Sequence, residues 1–318
     1  MQEPAFHILH VEDDYTDALL MRELINDSPH QGVFDITHVD SLRDALNKMK
    51  SGDYDAVLLD MNLRDICGVD NILAVKDENP DMPVVVLSGV DSDSAALEAI
   101  DCGAQEYIIK GHCNGRSVRH AICSSIKRKA VERQFYKEAN YDELTNLTNR
   151  RFFMDYLSLT LEKARRWKRT ETLMFIDLDR FKDINDTYGH DAGNFALKTA
   201  ARRMKMTLRE ADMICRYGGD EFTILLDNRA NDSQDVAAHI AKKLIEALNK
   251  PFEFNNAEIS FSASIGIALY PDNGIDNTSL IKSADMAMYK SKNDGGTGYY
   301  FARDVFTNSV NNERNRAE

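Results

Sequence analysis

The sequence predicts two domains of different class. The first is an α/β domain with a doubly wound parallel sheet, and the second is an α+β domain with a mostly antiparallel sheet. Three observations lead there. A length of 318 residues with 43% hydrophobic residues can fill two cores. The first part alternates apolar strand-like runs with helical patterns. The second part breaks that rhythm, because two strand-like runs meet at Arg216-Tyr217-Gly218-Gly219-Asp220-Glu221-Phe222.

In the first part, apolar runs predict strands at 6–11, 33–39, 56–59, 84–87 and 107–109. Helical periodicity lies between them, as at 18–25, 42–49 and 95–100. A last helix is expected to begin near Ser117. Val118, Ile122 and Ile126 recur every four residues and give it one apolar stripe. The charged stretch 127–138 continues it, with no Pro or Gly between Ser117 and Asn140. A continuous helix joining the domains follows; its stripe can pack on its own sheet alone, but the polar second half favours a projecting helix that could pair. The second part predicts a helix at 151–166, a strand at 172–178 and a helical region from 181 to 208. A hairpin at 216–226, a helix at 235–249, a long strand at 259–270, a helix at 280–291 and a closing strand at 299–301 complete it. The expected divisions are 1–126 for the first domain, 127–140 for a helical linker, 141–302 for the second domain and 303–318 for a polar tail. That tail is expected to fray from Asn308.

A net charge of −13 argues against a nucleic-acid or anionic-membrane binder. It leaves nucleotides open, because metal ions can mediate between carboxylates and phosphates. The five cysteines, Cys67, Cys102, Cys113, Cys123 and Cys215, show no metal-ligand spacing. Reduced thiols in a cytoplasmic protein are expected. Neither a membrane-spanning stretch nor a signal peptide is expected.

Four residues of the first part sit at strand ends. Asp13 follows the first strand, Asp60 the third, Ser88 the fourth and Lys110 the fifth, with Glu12 beside Asp13. In an open parallel sheet the carboxyl ends of the strands form the ligand crevice. Carboxylates there can bind Mg²⁺, and a lysine and a hydroxyl can hold a phosphate. This part resembles the receiver domain of two-component response regulators, with a flavodoxin-like fold. The resemblance implies that Asp60 is the phosphoacceptor. It also implies a metal site of Glu12, Asp13, Asp60 and the Asn62 carbonyl. Ser88 is then the switch hydroxyl, Lys110 the phosphoryl-contacting lysine and Tyr107 the switch aromatic. An upstream histidine kinase is the implied partner. Arg64 stands where the family often has proline.

In the second part, two glycines let the backbone turn tightly before the paired acids Asp220 and Glu221. The plain alternative is an ordinary acidic turn between core strands. Other motifs accompany it: Phe175-Ile176-Asp177-Leu178-Asp179, then Lys182, Asn185 and Tyr188-Gly189-His190-Asp191-Ala192-Gly193-Asn194. Asp142-Glu143-Leu144-Thr145-Asn146-Leu147-Thr148-Asn149-Arg150 lies upstream, and Ala284-Asp285-Met286-Ala287-Met288-Tyr289-Lys290-Ser291-Lys292 downstream. Together they resemble the GGDEF domain of diguanylate cyclases, whose palm-like sheet is similar to that of nucleotide cyclases.

That resemblance implies a reaction in which two GTP molecules become cyclic di-GMP and two pyrophosphates. Each 3′-hydroxyl attacks the other nucleotide's α-phosphate. By resemblance Asp177, the Leu178 carbonyl and Asp220 hold Mg²⁺ or Mn²⁺. Glu221 supports them, and Asp220 is also the proposed proton acceptor. Lys182 and Lys292 neutralise phosphates, and Asn185, His190 and Asn194 contact the nucleoside. One domain binds one nucleotide, so the reaction requires a homodimer. Arg209-Glu210-Ala211-Asp212 matches the family's inhibitory product site, where Arg209 and Asp212 can bond guanine.

Two positions depart from the family pattern. Asn194 replaces an aspartate, offering an NH₂ donor where guanine presents N1–H. Gly296 replaces an arginine, removing a charged phosphate contact. The leading expectation is a phosphorylation-regulated diguanylate cyclase with product inhibition. A non-catalytic sensor of GTP or cyclic di-GMP, and a cyclase with relaxed guanine/adenine selectivity, remain the alternatives.

Overall fold

The protein is described by a computed structural model that covers residues 6–26, 34–227 and 234–305. The polar tail expected from Asn308 lies outside the described residues. The chain divides into two compact units between Phe135 and Tyr136.

In the first unit, five strands alternate with five helices. They are β1 (Phe6–Val11), α1 (Tyr15–Asn26), β2 (Phe34–Val39), α2 (Leu42–Ser51), β3 (Ala56–Asp60), α3 (Asp70–Glu78), β4 (Val84–Ser88), α4 (Asp93–Asp101), β5 (Glu106–Ile109) and α5 (Gly115–Asn140). The sheet order is β2-β1-β3-β4-β5, and all its pairings are parallel. β3 and β4 are buried at every position, because parallel sheets are covered on both faces. Side chains alternate between two cores. Leu9, Val57, Leu59, Val84 and Val86 pack on one face, and Ile8, Leu58, Val85 and Leu87 on the other. Helix starts are capped as the sequence allows. Ser41 accepts from the Asp44 amide, and Ser92 from the Ala95 amide. The helix expected near Ser117 starts two residues earlier and runs unbroken to Asn140. Val118 and Ile122 pack in the core of this unit, whereas Val131 and Phe135 are exposed.

The second unit contains β6 (Thr148–Asn149), α6 (Arg150–Trp167), β7 (Glu171–Asp179), α7 (Phe181–Tyr188), α8 (His190–Thr207), β8 (Met213–Gly218) and β9 (Glu221–Leu226). It continues with α9 (Gln234–Leu248), β10 (Phe252–Phe254), β11 (Ala257–Ile259), β12 (Ser262–Tyr270), α10 (Asn277–Asn293) and β13 (Gly298–Phe301). Its main sheet has the order β13-β12-β7-β9-β8-β6. The three central pairings are antiparallel and the two outer ones parallel. β7 is buried along its length. Ile176 and Leu178 face α8 and α9, while Leu173 and Phe175 face α6 and α10.

Two expectations needed correction, and one strand had not been anticipated. The helical region 181–208 is two helices, because Gly189 at φ +84° turns the chain between them. The long strand expected over 259–270 is two strands. Left-handed Asn255 and Asn256 fold β11 back on β10 in a separate hairpin, and β12 starts only at Ser262. β6 had no strand signature, since two residues carry no periodicity; it is defined by parallel pairing with β8. No helix among the described residues is long and apolar enough to cross a membrane.

β7 begins with a buried acid. Burial, and then the charge of Asp227, push the Glu171 carboxyl up to about 7, against the pull of Arg169. A carboxyl whose pKa rises on folding favours the folded state while protonated, and that contribution is lost as pH rises through the folded value. Glu171→Gln is therefore expected to melt a few degrees above the parent at pH 8.5, with the difference vanishing below pH 4.5. Thermal melts across pH check this.

Candidate phosphorylation and nucleotide sites

In the first unit the strand ends gather the expected residues. Carboxylate oxygens of Glu12, Asp13 and Asp60 lie within 4.8 Å of one another. Glu12 is 1% exposed and Asp60 5%. Lys110, immediately after β5, reaches across to them. Its Nζ donates to Glu12 Oε2 at 2.5 Å, to Asp17 Oδ2 at 2.9 Å and to Asp60 Oδ2 at 3.0 Å. Burial pushes the Glu12 carboxyl above the ordinary range; the Lys110 bond opposes this, and the Asp60 charge adds to it. Burial opposes the Lys110 charge, yet its three carboxylate bonds raise its pKa. Clustered carboxylate oxygens short of positive charge are a donor set that suits a hard divalent cation.

The surrounding loop is held by residues with no motif of their own. Asn62 donates its amide to Asp60 Oδ1 at 3.1 Å. Asn71, fully buried on α3, donates its side-chain amide to the Met61 carbonyl at 3.2 Å. Ser88 is buried at the end of β4, and its Oγ accepts from the Val90 amide at 3.1 Å. The Tyr107 hydroxyl donates to the Val90 carbonyl at 2.9 Å. The serine and the tyrosine thus hold the same residue from its two sides. Arg64 uses its proline-like position to place a guanidinium on the acidic pair, with Nε 2.9 Å from Asp13 Oδ2. Beneath this group, His10 is buried. Burial first, then the charges of His38 and Lys110, lower its pKa to about 3.

In the second unit, β7 ends at Asp177, Leu178 and Asp179, and the β8–β9 turn lies beside them. Asp177 pairs across the ladder with Glu221. The Leu178 amide donates to the Asp220 carbonyl at 3.2 Å. Gly219 takes φ +54°, which lets the chain reverse in two residues. Lys292, near the end of α10, places Nζ 2.8 Å from Asp177 Oδ1. Burial raises the Asp177 pKa; Lys292 opposes the rise, and the charges of Asp220 and Asp179 add to it. Glu221 is raised by burial and then by Asp177, Asp285 and Asp220. These carboxylates offer the hard oxygens a divalent ion takes. However, among the described residues only Glu12, Asp13 and Asp60 show three-way approach at ligand distance. Here Lys292 supplies the counter-charge on Asp177.

The other nucleotide-site candidates sit on the α7–α8 pair. Lys182 and Asn185 belong to α7, and His190 and Asn194 to α8. Asn185 is half-buried; Lys182, His190 and Asn194 are exposed. The two helices approach where Gly193 lacks a side chain. A Cβ on Gly193 would stand 2.0 Å from Asn185 Oδ1, so the Asn185 amide rests against the backbone next to Asn194.

Arg216 is the residue that motif reading passed over. Its Nε and one terminal nitrogen donate to the Gly219 carbonyl at 3.0 and 2.9 Å. The other terminal nitrogen bonds Asp142 at 3.0 and 3.2 Å. Asp142 also accepts from the Thr145 amide and hydroxyl. The acidic turn is therefore clamped to the start of its own unit. The shared Asp-x-Leu-Thr and Arg-x-Gly-Gly wording was the available signal. At the expected inhibitory site, Arg209 is exposed. Both Asp212 oxygens accept backbone amides, from Arg209 and from Asp227, each at 3.0 Å.

Comparison with known proteins agrees with both units. The family model for "Diguanylate cyclase, GGDEF domain" matches residues 139–297, and that for "Response regulator receiver domain" matches residues 8–122. The bifunctional diguanylate cyclase/cyclic di-GMP phosphodiesterase MucR of Pseudomonas aeruginosa is 40% identical over 190 residues, covering 60% of this chain and 26% of MucR. Diguanylate cyclase TpbB of the same species is 42% identical over 156 residues, covering 49% of this chain and 35% of TpbB. The chain thus spans about a quarter to a third of the length of these relatives. The crystal structure of the coiled coil and GGDEF domain of DgcB from Caulobacter crescentus, in complex with c-di-GMP, matches with a TM-score of 0.52 at 24% identity. It covers 58% of this chain and 97% of that one, a likeness of fold. The chain belongs to the diguanylate cyclase GGDEF domain family, and a response regulator receiver domain precedes its GGDEF domain.

Proposed function

We propose that this chain is a phosphorylation-regulated diguanylate cyclase that joins two GTP molecules into cyclic di-GMP and is restrained by its product. The observation that carries this reading is the meeting of Asp177 on β7 with the Asp220–Glu221 turn, beside Lys292. Asn185 and Asn194 stand close together on the neighbouring helix pair. In this reading the receiver spans 1–126, a helical linker 127–140 and the cyclase 141–302.

Asp177, the Leu178 carbonyl, Asp220 and Glu221 would hold Mg²⁺ or Mn²⁺. The ion, when bound, polarises the α-phosphate and steadies the departing pyrophosphate. The remaining work falls to the protein. Lys182 and Lys292 neutralise the triphosphate, and Lys292 is freed for this once Asp177 gains another counter-charge. Asn185, His190 and Asn194 orient the nucleoside. Asp220 accepts the proton from the attacking 3′-hydroxyl. A second copy brings the second GTP, because each hydroxyl must face the other's phosphate.

Regulation is assigned to Asp60. A histidine kinase would phosphorylate it, with Glu12, Asp13, Asp60 and the Asn62 carbonyl holding the ion. The phosphoryl group adds about −1.5 to −2 charges. Lys110 would transfer its bonds to that group, and Ser88 and Tyr107 would report the change through Val90. Arg209 and Asp212 would bind cyclic di-GMP.

The deciding experiment is product analysis of the purified chain with Mg²⁺ and GTP, with and without a small phosphodonor. Cyclic di-GMP is expected, and its absence in both conditions would refute the cyclase. Asp220→Ala is expected to lower turnover at least ~100-fold. Asp60→Asn is expected to lose phosphodonor incorporation, measured by intact mass, and with it any change in rate. Arg209→Ala is expected to relieve product inhibition, read as a continued linear time course. Asn194→Asp is expected to improve selectivity for GTP over ATP, measured in mixed-nucleotide reactions.

A further inference from the structure

The turn that follows α10 departs from the family pattern, and the structure gives it a purpose. Three successive residues lie in the left-handed region: Gly295 at φ +112°, Gly296 at φ +73° and Thr297 at φ +57°. The first two are glycines, for which this costs little. Thr297 is β-branched, and such a residue holds that conformation only when its surroundings compel it. What compels it is Asp179. This carboxylate is 8% exposed and accepts three bonds. They come from Ser262 Oγ at 2.6 Å, Ser264 Oγ at 2.7 Å and the Thr297 amide at 3.0 Å.

Gly296 is fitted to the same carboxylate. A Cβ there would lie 2.9 Å from Asp179 Oδ2 and 3.1 Å from its Cγ. Any side chain at 296 must push Asp179 away or re-form the turn. The turn in turn holds the end of α10: the Gly296 amide donates to the Ser291 carbonyl at 3.1 Å, and the Gly295 amide to the Lys292 carbonyl at 3.4 Å. Asp177 and Asp179 share one face of β7, two residues apart. The end of α10 is therefore docked twice on that face, by Lys292 on Asp177 and by Thr297 on Asp179.

We propose that Asp179 is a positioning residue: it fixes the 295–297 turn and so sets where Lys292 presents its ammonium to the nucleotide phosphates. Gly296 is then a requirement of that contact, and the turn is complete without arginine. This rests on the cyclase reading above. Asp179 need not touch the nucleotide; it acts through the turn. The absence of arginine at 296 is compensated by a more rigid lysine.

The test measures KM and kcat for GTP with Mg²⁺ on the full chain. Asp179→Ala is expected to raise KM about tenfold while kcat stays within about threefold, the signature of lost binding. Asp179→Asn is expected to restore most of the loss, because its amide oxygen still accepts and serine hydroxyls can reverse their bonds. Gly296→Arg is expected to raise KM. Leu244→Ala, a core truncation on the other face of the sheet, serves as a control for general loosening and is expected to keep KM within twofold. The proposal is overturned if Asp179→Ala leaves KM unchanged, if Leu244→Ala raises it equally, or if Gly296→Arg lowers it. Should Asp179→Ala fail to fold, Ser262→Ala and Ser264→Ala each remove one bond, and an unchanged KM in both overturns the proposal. If the parent chain makes no cyclic dinucleotide, the cyclase reading has failed. The same variants are then compared by equilibrium binding of GTP, where equal affinities for parent and Asp179→Ala overturn the positioning role.

Discussion

Carboxylates brought together at the ends of buried strands repel one another, and both units are organised around that repulsion. Two such charges 4 Å apart interact by about 4 kcal/mol at the effective dielectric of a partly buried site. In the first unit Lys110 answers three acids at once. In the second, Lys292 answers Asp177. In each case the lysine follows or ends the element that completes the local core. The acids on the early strands are thus matched only after the later part of the unit has folded. The raised pKa values of Glu12, Asp177 and Glu221 show that this matching is partial.

Under the proposed function, partial matching is what would let the sites respond. A fully paired carboxylate has no reason to accept another cation, and an unpaired one would destabilise the strand that carries it. Here the lysine bonds hold the carboxylates together, and under the proposed function metal or phosphate would take their place. The neighbouring backbone is kept rigid by other means. Asn71 supports the loop after β3, and Arg216 ties the β8–β9 turn to Asp142. Preorganised walls around an adjustable charge balance are the arrangement that electrostatic catalysis and phosphoryl sensing both require.

Much of this was legible in the amino acids. The parallel sheet could be read because strands covered on both faces appear as unbroken Val, Leu and Ile runs. The acids could be read because they stand where those runs stop. What could not be read came from interactions between distant segments. Gly189 divides one helical pattern in two, and apolar periodicity passes through such a break unchanged. Two asparagines in left-handed conformation turn β11 back on β10, so Ile259, which alternates in sequence with the strand that follows, belongs to a separate hairpin. Asp177 and Asp179 look alike in sequence, yet one faces a lysine and the other is sealed by two serines and an amide. Composition gives no hint of which is which, because the deciding partners lie more than eighty residues away.

The contact between Asn185 and Gly193 reaches into how this site can change over time. The amide oxygen of Asn185 occupies the space that the smallest side chain at 193 would need, at 2.0 Å from its Cβ. Position 193 cannot therefore gain a side chain while Asn185 keeps this place. A larger residue at 193 evicts the amide and also crowds Phe181, whose Cζ would stand 3.3 Å from its Cβ. Effects at touching positions do not add, so substitutions at 185 and 193 are coupled. Position 194, whose side chain is exposed beside them, is under no such tie. Asn194 can therefore be exchanged without disturbing that contact, and under the proposed nucleoside-binding role it is the position at which preference between purines can change.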